Sequence, residues 1–574
     1  MTSIVPPHQV WWKKAQFYQI WPKSFCDSNG DGIGDLKGIV SKLDHLKGLG
    51  VDAIWITPFY PSPQKDNGYD ISDYKNIEPS KGTLGDFDEL VEKAHQKGIK
   101  VIIDLVVNHC SDQHEWFQKS RAGDPKYKDY FIWKKGKGEE GKEAPNNWAS
   151  TFSGSAWTYV EERKEFYFHM FAPEQPDLNW ENPEVQKEMV EIIRFWNKRK
   201  IDGFRLDATS HISKPESMPD YEGGGTHVRG DMHTNGPKMH DFLKIICSAI
   251  HENEGSVIFG ELNGVPIEQI EYAVAPSHKE MDLAILFDHI SIDYGSDPVK
   301  DRYDYRGIDL RKLKESLRRY NSKIREGWIN FYLCNHDQPR IVSRWGAEGI
   351  HWATSAKMLG MLYHFLRGTP FIFQGEEIGM TNWRFSKEEA DDVEFWRTYH
   401  DLVEDKKVMS HEEFMETAHR IGRDNARTPV QWNSAENAGF SRGKPWIPVN
   451  KNYKEINVED QEKDPGSVLN FYKRIIKTRK EHEKLIDGDF ELIFEEHLTL
   501  LGYKRFIPGH EEVYFAFSNF SNLNFEVCSS HEFYQGRKYE VVLSNYDGYH
   551  FDPSRVEIRP WLGALVRLVN TSGH

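Results

Sequence analysis

Acidic, arginine and histidine residues stand at the ends of short apolar runs at several places in the chain. The run GFRLDA contributes Arg205 and Asp207, FGEL contributes Glu261, and NHD contributes His336 and Asp337. Two facing carboxyl groups can hydrolyse a glycosidic bond, because one attacks the anomeric carbon while the other protonates the leaving oxygen. These runs therefore predict a carboxylate-based active site.

A fourth run, DLVVNH, adds Asp104 and His109 to the candidate set. A single carboxylate is more often part of a structural ion pair or a helix cap. Several acidic groups at one place repel one another and cost stability unless they are used, so the set is far more specific than any member.

The neighbouring residues in the sequence predict different roles for two of the acids. Arg205 lies two residues before Asp207, so both side chains point to one face of a strand. A nearby cation lowers the pKa of a carboxyl group, which predicts that Asp207 is ionised and acts as the nucleophile. Glu261 follows the apolar run VIFG without an adjacent cation in the sequence, which predicts a raised pKa and the role of acid.

The elements that must position these residues alternate between short β-branched runs and longer helical segments. This alternation predicts βα units around a parallel sheet, and eight such strands make an α/β fold of the TIM-barrel type. Functional side chains lie at the carboxyl ends of TIM-barrel strands, where these motifs stand. The predicted barrel strands are Gln16–Pro22, Val51–Pro58, Lys100–His109, Gly203–Ala208, Val257–Leu262, Ala284–His289, Trp328–Asp337 and Thr369–Glu377.

Two segments depart from the alternation. The third and fourth predicted strands are too far apart for one crossover helix. Residues 111–177, rich in Gly, Lys, Trp and Phe, therefore predict a small inserted domain. After about Phe490, alternating runs such as YFAFSNF predict a C-terminal antiparallel β-sandwich. The predicted limits are 1–110 and 178–490 for the barrel, 111–177 for the inserted domain and 491–574 for the β domain.

Seven segments give the chain a resemblance to a known family. They are VDAIWITPF, DLVVNH, QPDLN, GFRLDA, GELNG, NHDQPR and QGEEIGM, in this order. From about Val10 to Pro445 the sequence resembles the α-amylase superfamily of glycoside hydrolases, in its oligo-1,6-glucosidase and α-glucosidase branch. QPDLN, at Gln175–Asn179, resembles the signature of this branch. The resemblance implies a TIM barrel and a glycoside hydrolase.

The resemblance also implies roles for residues at matched positions. Asp207 resembles the nucleophile, Glu261 the general acid/base, and Asp337 a third acid that grips sugar hydroxyls. Asp66 and Arg423 resemble an ion pair that closes the pocket end, which implies exo action that releases one glucose at a time. Further matched positions around the sugar are Tyr69, His109, Phe152, Phe171, Gln175, Arg205 and His336. Phe152 and Phe171 have a second interpretation, which is packing in the core of the inserted domain.

The segment DSNGDGIGD places oxygen-bearing residues at alternate positions. Such oxygens suit a hard cation, and the resemblance implies a structural Ca²⁺ there. An EF-hand is excluded because its twelfth position would be Gly38, where that motif needs a bidentate Glu. A glycine-rich turn without metal is the alternative interpretation. The predicted ligands are Asp27, Asn29, Asp31, the Ile33 carbonyl and Asp35.

The residue after the nucleophile bears on the linkage that is cut. In the branch that this chain resembles, Val at this position accompanies α-1,6 substrates and smaller or polar residues accompany α-1,4 substrates. Ala208 stands here and favours maltose-like α-1,4 substrates, with sucrose as a further candidate. The segments GRDNARTPVQW and NAGF instead resemble oligo-1,6- and dextran-glucosidases, which is the alternative. A sucrose isomerase is disfavoured because the segment DRYDYR lacks the arginine- and aspartate-rich isomerase motif.

Charge and composition exclude several classes of protein. The net charge of −16 disfavours binding to nucleic acid or to an anionic membrane. Retention of all three acids argues against a transporter heavy chain or a pure carbohydrate-binding module. Five scattered cysteines, with no secretory segment visible, predict a reducing, cytoplasmic location. We expect a monomer or weak homo-oligomer that binds a small oligosaccharide or disaccharide and no organic cofactor.

Overall fold

Eight parallel strands form the barrel that the sequence predicts. The structure is a computed structural model, and it describes residues 10–222, 231–297, 299–527, 533 and 537–569. The barrel strands are β1 (Phe17–Ile20), β2 (Ala53–Ile56), β3 (Lys100–Val106), β7 (Gly203–Asp207), β8 (Val257–Glu261), β9 (Leu283–Ile285), β10 (Asn330–Phe331) and β11 (Thr369–Phe373). They pair in the order β10-β11-β1-β2-β3-β7-β8-β9, and a parallel bridge between Ala284 and Ile329 closes the ring.

Aromatic side chains fill the inside of the barrel. The Phe17 ring lies 4.5 Å from Phe371 and 5.8 Å from Phe259, although β1 and β8 are not neighbours in the sheet. Residues of a parallel strand are buried on both faces, which explains why runs such as AIWI are continuously apolar rather than alternating.

Two barrel strands are shorter than the sequence predicts. β9 ends at Ile285 and is followed by a 3₁₀ turn at Asp288–Ile290. β10 contains only Asn330 and Phe331. The chain beyond β10 leaves the sheet ladder because its side chains turn into the barrel mouth, where His336 lies between aromatic rings.

Amphipathic helices surround the barrel. Thr83 and Asp86 form a capping box at the start of α4 (Leu84–Gln96). Asn182 caps α6 (Pro183–Asn197), whose first residue is a proline with a fixed φ angle that suits the first helical turn. The helices are α1 (Trp11–Lys14), α2 (Leu36–Ser41), α3 (Leu43–Leu49), α4 (Leu84–Gln96), α5 (Glu115–Arg121), α6 (Pro183–Asn197), α7 (Met239–Ile250), α8 (Ile267–Val274), α9 (Leu310–Lys323), α10 (Ile341–Trp345), α11 (Trp352–His364), α12 (Val393–Tyr399), α13 (His411–Ile421), α14 (Asp424–Arg427), α15 (Val458–Lys463), α16 (Val468–Glu481) and α17 (Lys484–Asp487). Among the described residues, no helix is long and apolar enough to cross a membrane.

A small antiparallel sheet follows β3, where the sequence predicts an inserted domain. Its strands are β4 (Trp133–Lys134), β5 (Trp157–Val160) and β6 (Glu165–Phe168), in the order β4-β6-β5. They enclose an apolar cluster of their own, which contains Trp148, Trp157, Phe166, Phe168 and Met170. The exact limits of this domain stay a prediction.

A helical arm, residues 382–421, follows β11 and was not predicted. It contains α12, a π-helical turn at His400–Asp405, and α13. Phe385, Phe395 and Phe414 belong to its separate apolar core. The arm packs beside the barrel mouth, and the contacts described below show that it contributes charged groups to the site.

The C-terminal region forms the β-sandwich that the sequence predicts. Five antiparallel strands pair in the order β12-β13-β14-β18-β16, and β15 pairs with β17. Phe515 and Phe517 of the larger sheet share one apolar cluster with Val556 and Ile558 of the smaller sheet. The strands are β12 (Asp489–Ile493), β13 (Leu500–Phe506), β14 (Val513–Asn519), β15 (Phe525–Val527), β16 (Lys538–Ser544), β17 (Val556–Ile558) and β18 (Gly563–Val569).

Candidate active site

The predicted acids meet at the carboxyl ends of the barrel strands. Asp207 is the last residue of β7 and Glu261 is the last residue of β8, its neighbour in the sheet. Asp104 lies in β3, on the other side of β7. Asp337 follows β10 in the loop that turns into the mouth. The parallel order of the strands therefore brings together residues that are far apart in the sequence.

Arg205 joins three of the acids. Its Nη1 donates to Asp207 Oδ1 at 2.5 Å and to Asp104 Oδ2 at 3.1 Å, and its Nη2 contacts Glu261 Oε1. Asp104 also accepts a hydrogen bond from the Tyr69 hydroxyl at 2.8 Å. Arg205 is only 1% exposed, so this guanidinium is held entirely by its acidic partners and neighbouring rings.

The prediction that the pKa of Asp207 is lowered is wrong. Burial raises the pKa of Asp207 to about 7, and Arg205 lowers it only in part while Asp104 raises it further. The cation two residues away lowers the pKa, but the loss of water around the buried carboxyl group raises it more. Desolvation disfavours the charged form of an acid, and here it is the larger effect.

Burial also raises the pKa of Glu261, and the carboxylates of Asp207 and Asp337 raise it further. This direction agrees with the expectation from the sequence. Glu261 does have a cation nearby, however, because Arg205 of the neighbouring strand contacts it and opposes the shift.

Asp337 lies among two arginines and a histidine. Arg423 Nη1 and Arg427 Nη2 each lie 3.2 Å from its Oδ1, and His336 Nε2 lies 3.1 Å from its Oδ2. Burial alone would raise the pKa of Asp337, but the His336, Arg423 and Arg427 side chains outweigh burial and hold the pKa well below its usual range. Asp337 is therefore an ionised acid near neutral pH.

His336 is fixed by stacking and by one hydrogen bond. Its ring lies 5.3 Å from Trp21 and 5.2 Å from Tyr69, with interplanar angles of 18° and 12°. Gln19 Nε2 lies 2.7 Å from His336 Nδ1. Burial lowers the pKa of His336, so its neutral form is favoured and one ring nitrogen faces Asp337.

Asp66, Gln175 and Arg423 form one end of the site. Arg423 Nη2 donates to Asp66 Oδ1 at 3.2 Å, and Gln175 Nε2 donates to Asp66 Oδ2 at 3.1 Å. The same Gln175 nitrogen lies 3.1 Å from His109 Nε2. Burial lowers the pKa of His109 to about 4, so its ring is neutral near pH 7.

Two aromatic rings of the inserted domain line the same end. Phe152 lies 5.0 Å from the Arg423 guanidinium and 5.7 Å from Phe171, and Phe171 lies 5.1 Å from His109. Phe171 also packs against the apolar cluster of the inserted domain. Every substrate-binding residue predicted from the sequence therefore lies in one connected cluster with the three acids.

Sequence reasoning missed the charged residues behind this cluster. Asp392, in the helical arm, pairs with Arg423 and lies 3.4 Å from Arg427. Arg302, within DRYDYR, donates to both oxygens of Glu394 at 2.8 and 3.0 Å. The spacing of Arg423 and Arg427 on one helical face could have indicated the second arginine, whereas the arm carries no motif that would indicate Asp392.

The predicted calcium loop is closed by hydrogen bonds of its own. Asp27 accepts from the N–H groups of Asn29, Gly30 and Gly32 at 2.7 to 2.9 Å, and from the Ser441 hydroxyl at 2.5 Å. Among the described residues, no group of three or more His, Cys, Asp or Glu could hold a metal ion.

Asp31 and Asp35 of this loop are also engaged. Asp31 Oδ2 accepts from Asn29 Nδ2 at 3.2 Å, and Asp35 caps α2 by accepting from the Gly38 N–H at 2.7 Å. Carboxylate, amide and carbonyl oxygens suit a hard cation, so the residues fit Ca²⁺ chemically. Calcium binding stays a prediction.

Comparison with known proteins agrees with this geometry. The family model for the α-amylase catalytic domain matches residues 19–488. The chain belongs to the α-amylase family. An oligo-1,6-glucosidase of Parageobacillus thermoglucosidasius is 45% identical over 98% of this chain and 99% of the relative. A trehalose-6-phosphate hydrolase of Bacillus subtilis is 42% identical over 89% of this chain and 90% of the relative.

Solved structures of α-amylase-family enzymes match nearly the whole chain. Trehalose-6-phosphate hydrolase of Bacillus licheniformis has a TM-score of 0.90 and 42% identity, over 98% of this chain and all of the other. Trehalulose synthase of Pseudomonas mesoacidophila MX-45 has a TM-score of 0.91 and 38% identity, over 97% of this chain and 99% of the other. This chain is accordingly a glycoside hydrolase with a glucosidase activity.

Proposed function

We propose that the chain is an exo-acting, retaining α-glucosidase that releases glucose from the non-reducing end of short α-glucosides. The observation that carries the proposal is the Arg205 guanidinium, whose two terminal nitrogens contact Asp207 and Glu261. Retaining glycosidases need their two carboxyl groups about 5–5.5 Å apart, and a shared guanidinium supports a short separation of this kind.

Asp207 is the nucleophile in the first step. Its carboxylate attacks the anomeric carbon and forms a glucosyl ester, while the Glu261 carboxylic acid gives its proton to the leaving sugar oxygen. The raised pKa of Glu261 supports this role, because the acid must hold its proton when the substrate arrives. The step requires the ionised form of Asp207, which Arg205 favours.

Water completes the reaction in the second step. Glu261, now a carboxylate, takes a proton from water as the oxygen attacks the anomeric carbon, and the bond to Asp207 breaks. Asp337, ionised throughout, accepts hydrogen bonds from glucose hydroxyls as positive charge develops on the ring. Neutral His109 and His336 donate to hydroxyls of the same sugar. Net retention at the anomeric carbon is the expected result.

The closed end of the site supports exo action. Asp66, Arg423 and Asp337 are linked by ion pairs of 3.2 Å, and Phe152 lies over the Arg423 guanidinium. These groups occupy the space through which a longer chain would have to continue. The non-reducing glucose is therefore the last residue that the pocket accepts.

Ala208 favours α-1,4 linkages. It follows Asp207 directly, and its N–H donates to Glu261 Oε2 at 3.2 Å, so this residue borders both of the proposed reacting carboxyl groups. A missing methyl group changes discrimination by about 1–3 kcal/mol at most. An α-1,6 preference is the second candidate, because several relatives are named oligo-1,6-glucosidases.

A substrate panel with identification of products tests the proposal. The panel contains maltose, isomaltose, sucrose, trehalose, trehalose 6-phosphate and soluble starch. We expect kcat/KM to be highest for maltose, glucose to be released as the α-anomer, and starch to react poorly. A preference for isomaltose would reject the α-1,4 assignment, release of β-glucose would reject retention, and a rearranged disaccharide from sucrose would indicate an isomerase.

We also propose a reducing, cytoplasmic location and a structural Ca²⁺ in the loop Asp27–Asp35. Among the described residues, Cys26, Cys110, Cys247 and Cys334 are buried and not joined in disulfides, which supports the first proposal. The alternating oxygen donors support the second. The oligomeric state stays a prediction.

A further inference from the structure

The helical arm meets the inserted domain through Arg397. Its Nε donates to the Phe152 carbonyl oxygen at 2.8 Å, and its Nη2 donates to the Ser153 carbonyl oxygen at 2.7 Å. These partners are 245 and 244 residues away in the sequence. Arg397 lies in α12, the helix that Asp392 caps and that also contains Glu394.

The segment that accepts these hydrogen bonds is a tight turn. The Ser150 N–H donates to the Gly154 carbonyl at 2.9 Å, and Ser153 and Gly154 have φ angles of 69° and 80°. A non-glycine residue in the left-handed region costs energy and persists only when its surroundings hold it there. A planar guanidinium that donates to two successive carbonyls is well suited to hold such a turn.

Phe152 is the functional residue of this turn. Its side chain is buried and lies over Arg423, the cation that pairs with Asp66 and Asp337. It also lies 5.7 Å from Phe171 on the same wall. A shift of the turn would move the Phe152 ring and admit water to the closed end of the pocket.

We propose that Arg397 is a positioning residue that sets how tightly the pocket grips the non-reducing glucose. It fixes the turn 150–154 from the opposite side of the mouth and so keeps Phe152 against Arg423. Arg397 acts through Phe152 and touches neither the sugar nor the reacting atoms. The inference rests on the proposed α-glucosidase function, since Phe152 lines the glucose pocket only under that function.

Arg397→Ala tests the proposal by two independent measurements. On the best substrate of the panel, we expect KM to rise about tenfold, the size of effect for one or two charge-assisted hydrogen bonds, while kcat falls less than about threefold. In the protein without substrate, hydrogen–deuterium exchange of the segment 149–156 should become faster. A residue of purely structural importance would lower the melting temperature without this split between KM and kcat.

Three further variants sharpen the test. Arg384→Ala removes an exposed arginine of the same arm and should leave KM, kcat and exchange of the turn unchanged. Arg397→Lys can reach one carbonyl and should give intermediate values. Once Phe152 is replaced by Ala, Arg397→Ala should have almost no further effect on KM, because the ring through which it acts is gone.

The outcomes separate this inference from the proposed function. Unchanged exchange of 149–156 in Arg397→Ala would overturn the inference whatever the enzyme hydrolyses. Additive effects of Arg397→Ala and Phe152→Ala on KM would overturn it as well. If the wild-type protein cleaves none of the panel sugars, the proposed function fails by itself, and the exchange measurement still decides whether Arg397 holds the turn.

Discussion

Arg205 contacts Asp104, Asp207 and Glu261, so no single acid has this cation to itself. Each carboxyl group receives only part of the stabilisation that one full ion pair would give. All three are also removed from water, which disfavours their charged forms. The result is a site in which Asp207 and Glu261 both have raised pKa values, while Asp337, with Arg423, Arg427 and His336 as neighbours, has a lowered one.

Asp207→Asn should abolish turnover while the fold is retained. The substitution keeps the shape of the side chain but removes the charge that attacks the anomeric carbon, so kcat/KM should fall at least about a thousandfold. Steady-state kinetics on maltose and the circular dichroism spectrum give the two readouts. Near-wild-type activity would refute the assignment of the nucleophile.

The pH dependence of stability should report the burial of Asp207. Its pKa is raised to about 7 in the folded protein, whereas an aspartate in an unfolded chain titrates near about 4. Between these pH values the folded state binds more protons, so this group's favourable contribution is complete below about pH 4 and is lost as the pH rises through about 7. Asp207→Asn should therefore stabilise the protein more at pH 8 than at pH 5.

Melting temperatures of both proteins at pH 5, 6, 7 and 8 measure this effect. Asp547→Asn, which changes an exposed aspartate of the C-terminal region, serves as the control and should not reproduce this pH-dependent difference. A difference between Asp207→Asn and wild type that shrinks as the pH rises would contradict the prediction.

At the scale of elements, the start of α12 serves both the helix and the pocket. Asp392 caps α12 by accepting from the Glu394 N–H at 3.2 Å, and it pairs with Arg423 at the closed pocket end. Burial would raise the pKa of Asp392, but Arg423 and Arg427 outweigh burial and lower it. The Asp392 side chain thus stabilises the start of α12 and also holds the Arg423 guanidinium in place.

Asp392→Asn should separate the role of Asp392 as a helix cap from its role as the charge partner of Arg423. Asn is as good a helix cap as Asp, so the cap should be kept, but the melting temperature should fall because the buried Arg423 loses a charge partner. The charge that holds Arg423 is lost, and kcat/KM should fall by roughly ten- to a hundredfold, the usual range for a hydrogen bond between charged groups. Asp392→Ala should show the same loss of activity and a further destabilisation of about 1 kcal/mol. Equal stability of both variants would exclude the capping role.

The elements also show what a sequence can predict. The barrel strands carry buried apolar runs of the right length, and helices such as α4 and α6 carry caps and amphipathic faces, so both kinds were predictable. β9 is shorter than predicted because a 3₁₀ turn at Asp288–Ile290 follows it, and β10 is shorter because its continuation turns into the mouth, neither of which periodicity shows. The helical arm lacks a motif, and Arg397 donates to main-chain carbonyls, an acceptor that every residue offers.

The candidate site was predictable for a related reason. Strand-end motifs bring their side chains together once the barrel order is known, so the positions of Asp207, Glu261 and Asp337 follow from the topology. Their charges do not follow from it. The pKa of Asp207 depends on burial and on Asp104, which lies in a strand about a hundred residues away, and no local pattern contains that information.

At the scale of the whole molecule, the loop Asp27–Asp35 joins distant parts of the chain. The Asp27 N–H donates to the Phe440 carbonyl at 2.9 Å, and the Trp446 N–H donates to the Gly32 carbonyl at 3.0 Å. A Ca²⁺ bound in this loop would therefore stabilise the contact between the loop that follows β1 and the segment 440–446. The effect of an ion there should be global although the reaction takes place elsewhere.

Removal of calcium should lower the melting temperature. An ion present at a hundred times its dissociation constant adds about 2.7 kcal/mol to the free energy of unfolding, and a chelator such as EDTA removes that contribution. Differential scanning calorimetry with EDTA and then with excess CaCl₂ measures it. Asp31→Ala should abolish the response, and an unchanged wild-type melting temperature would favour a plain glycine-rich turn.

The ion pairs that join Arg423 to Asp66 and Asp337 also bear on how substrate enters the site and how products leave it. Under the proposed exo action the pocket is closed at that end, so substrate, water and both products pass in turn through one opening. The leaving sugar departs first and clears the path for water, and glucose, which lies deepest, departs last. An enzyme of this kind releases the shortened substrate after every cleavage. Free glucose competes with new substrate for the same opening.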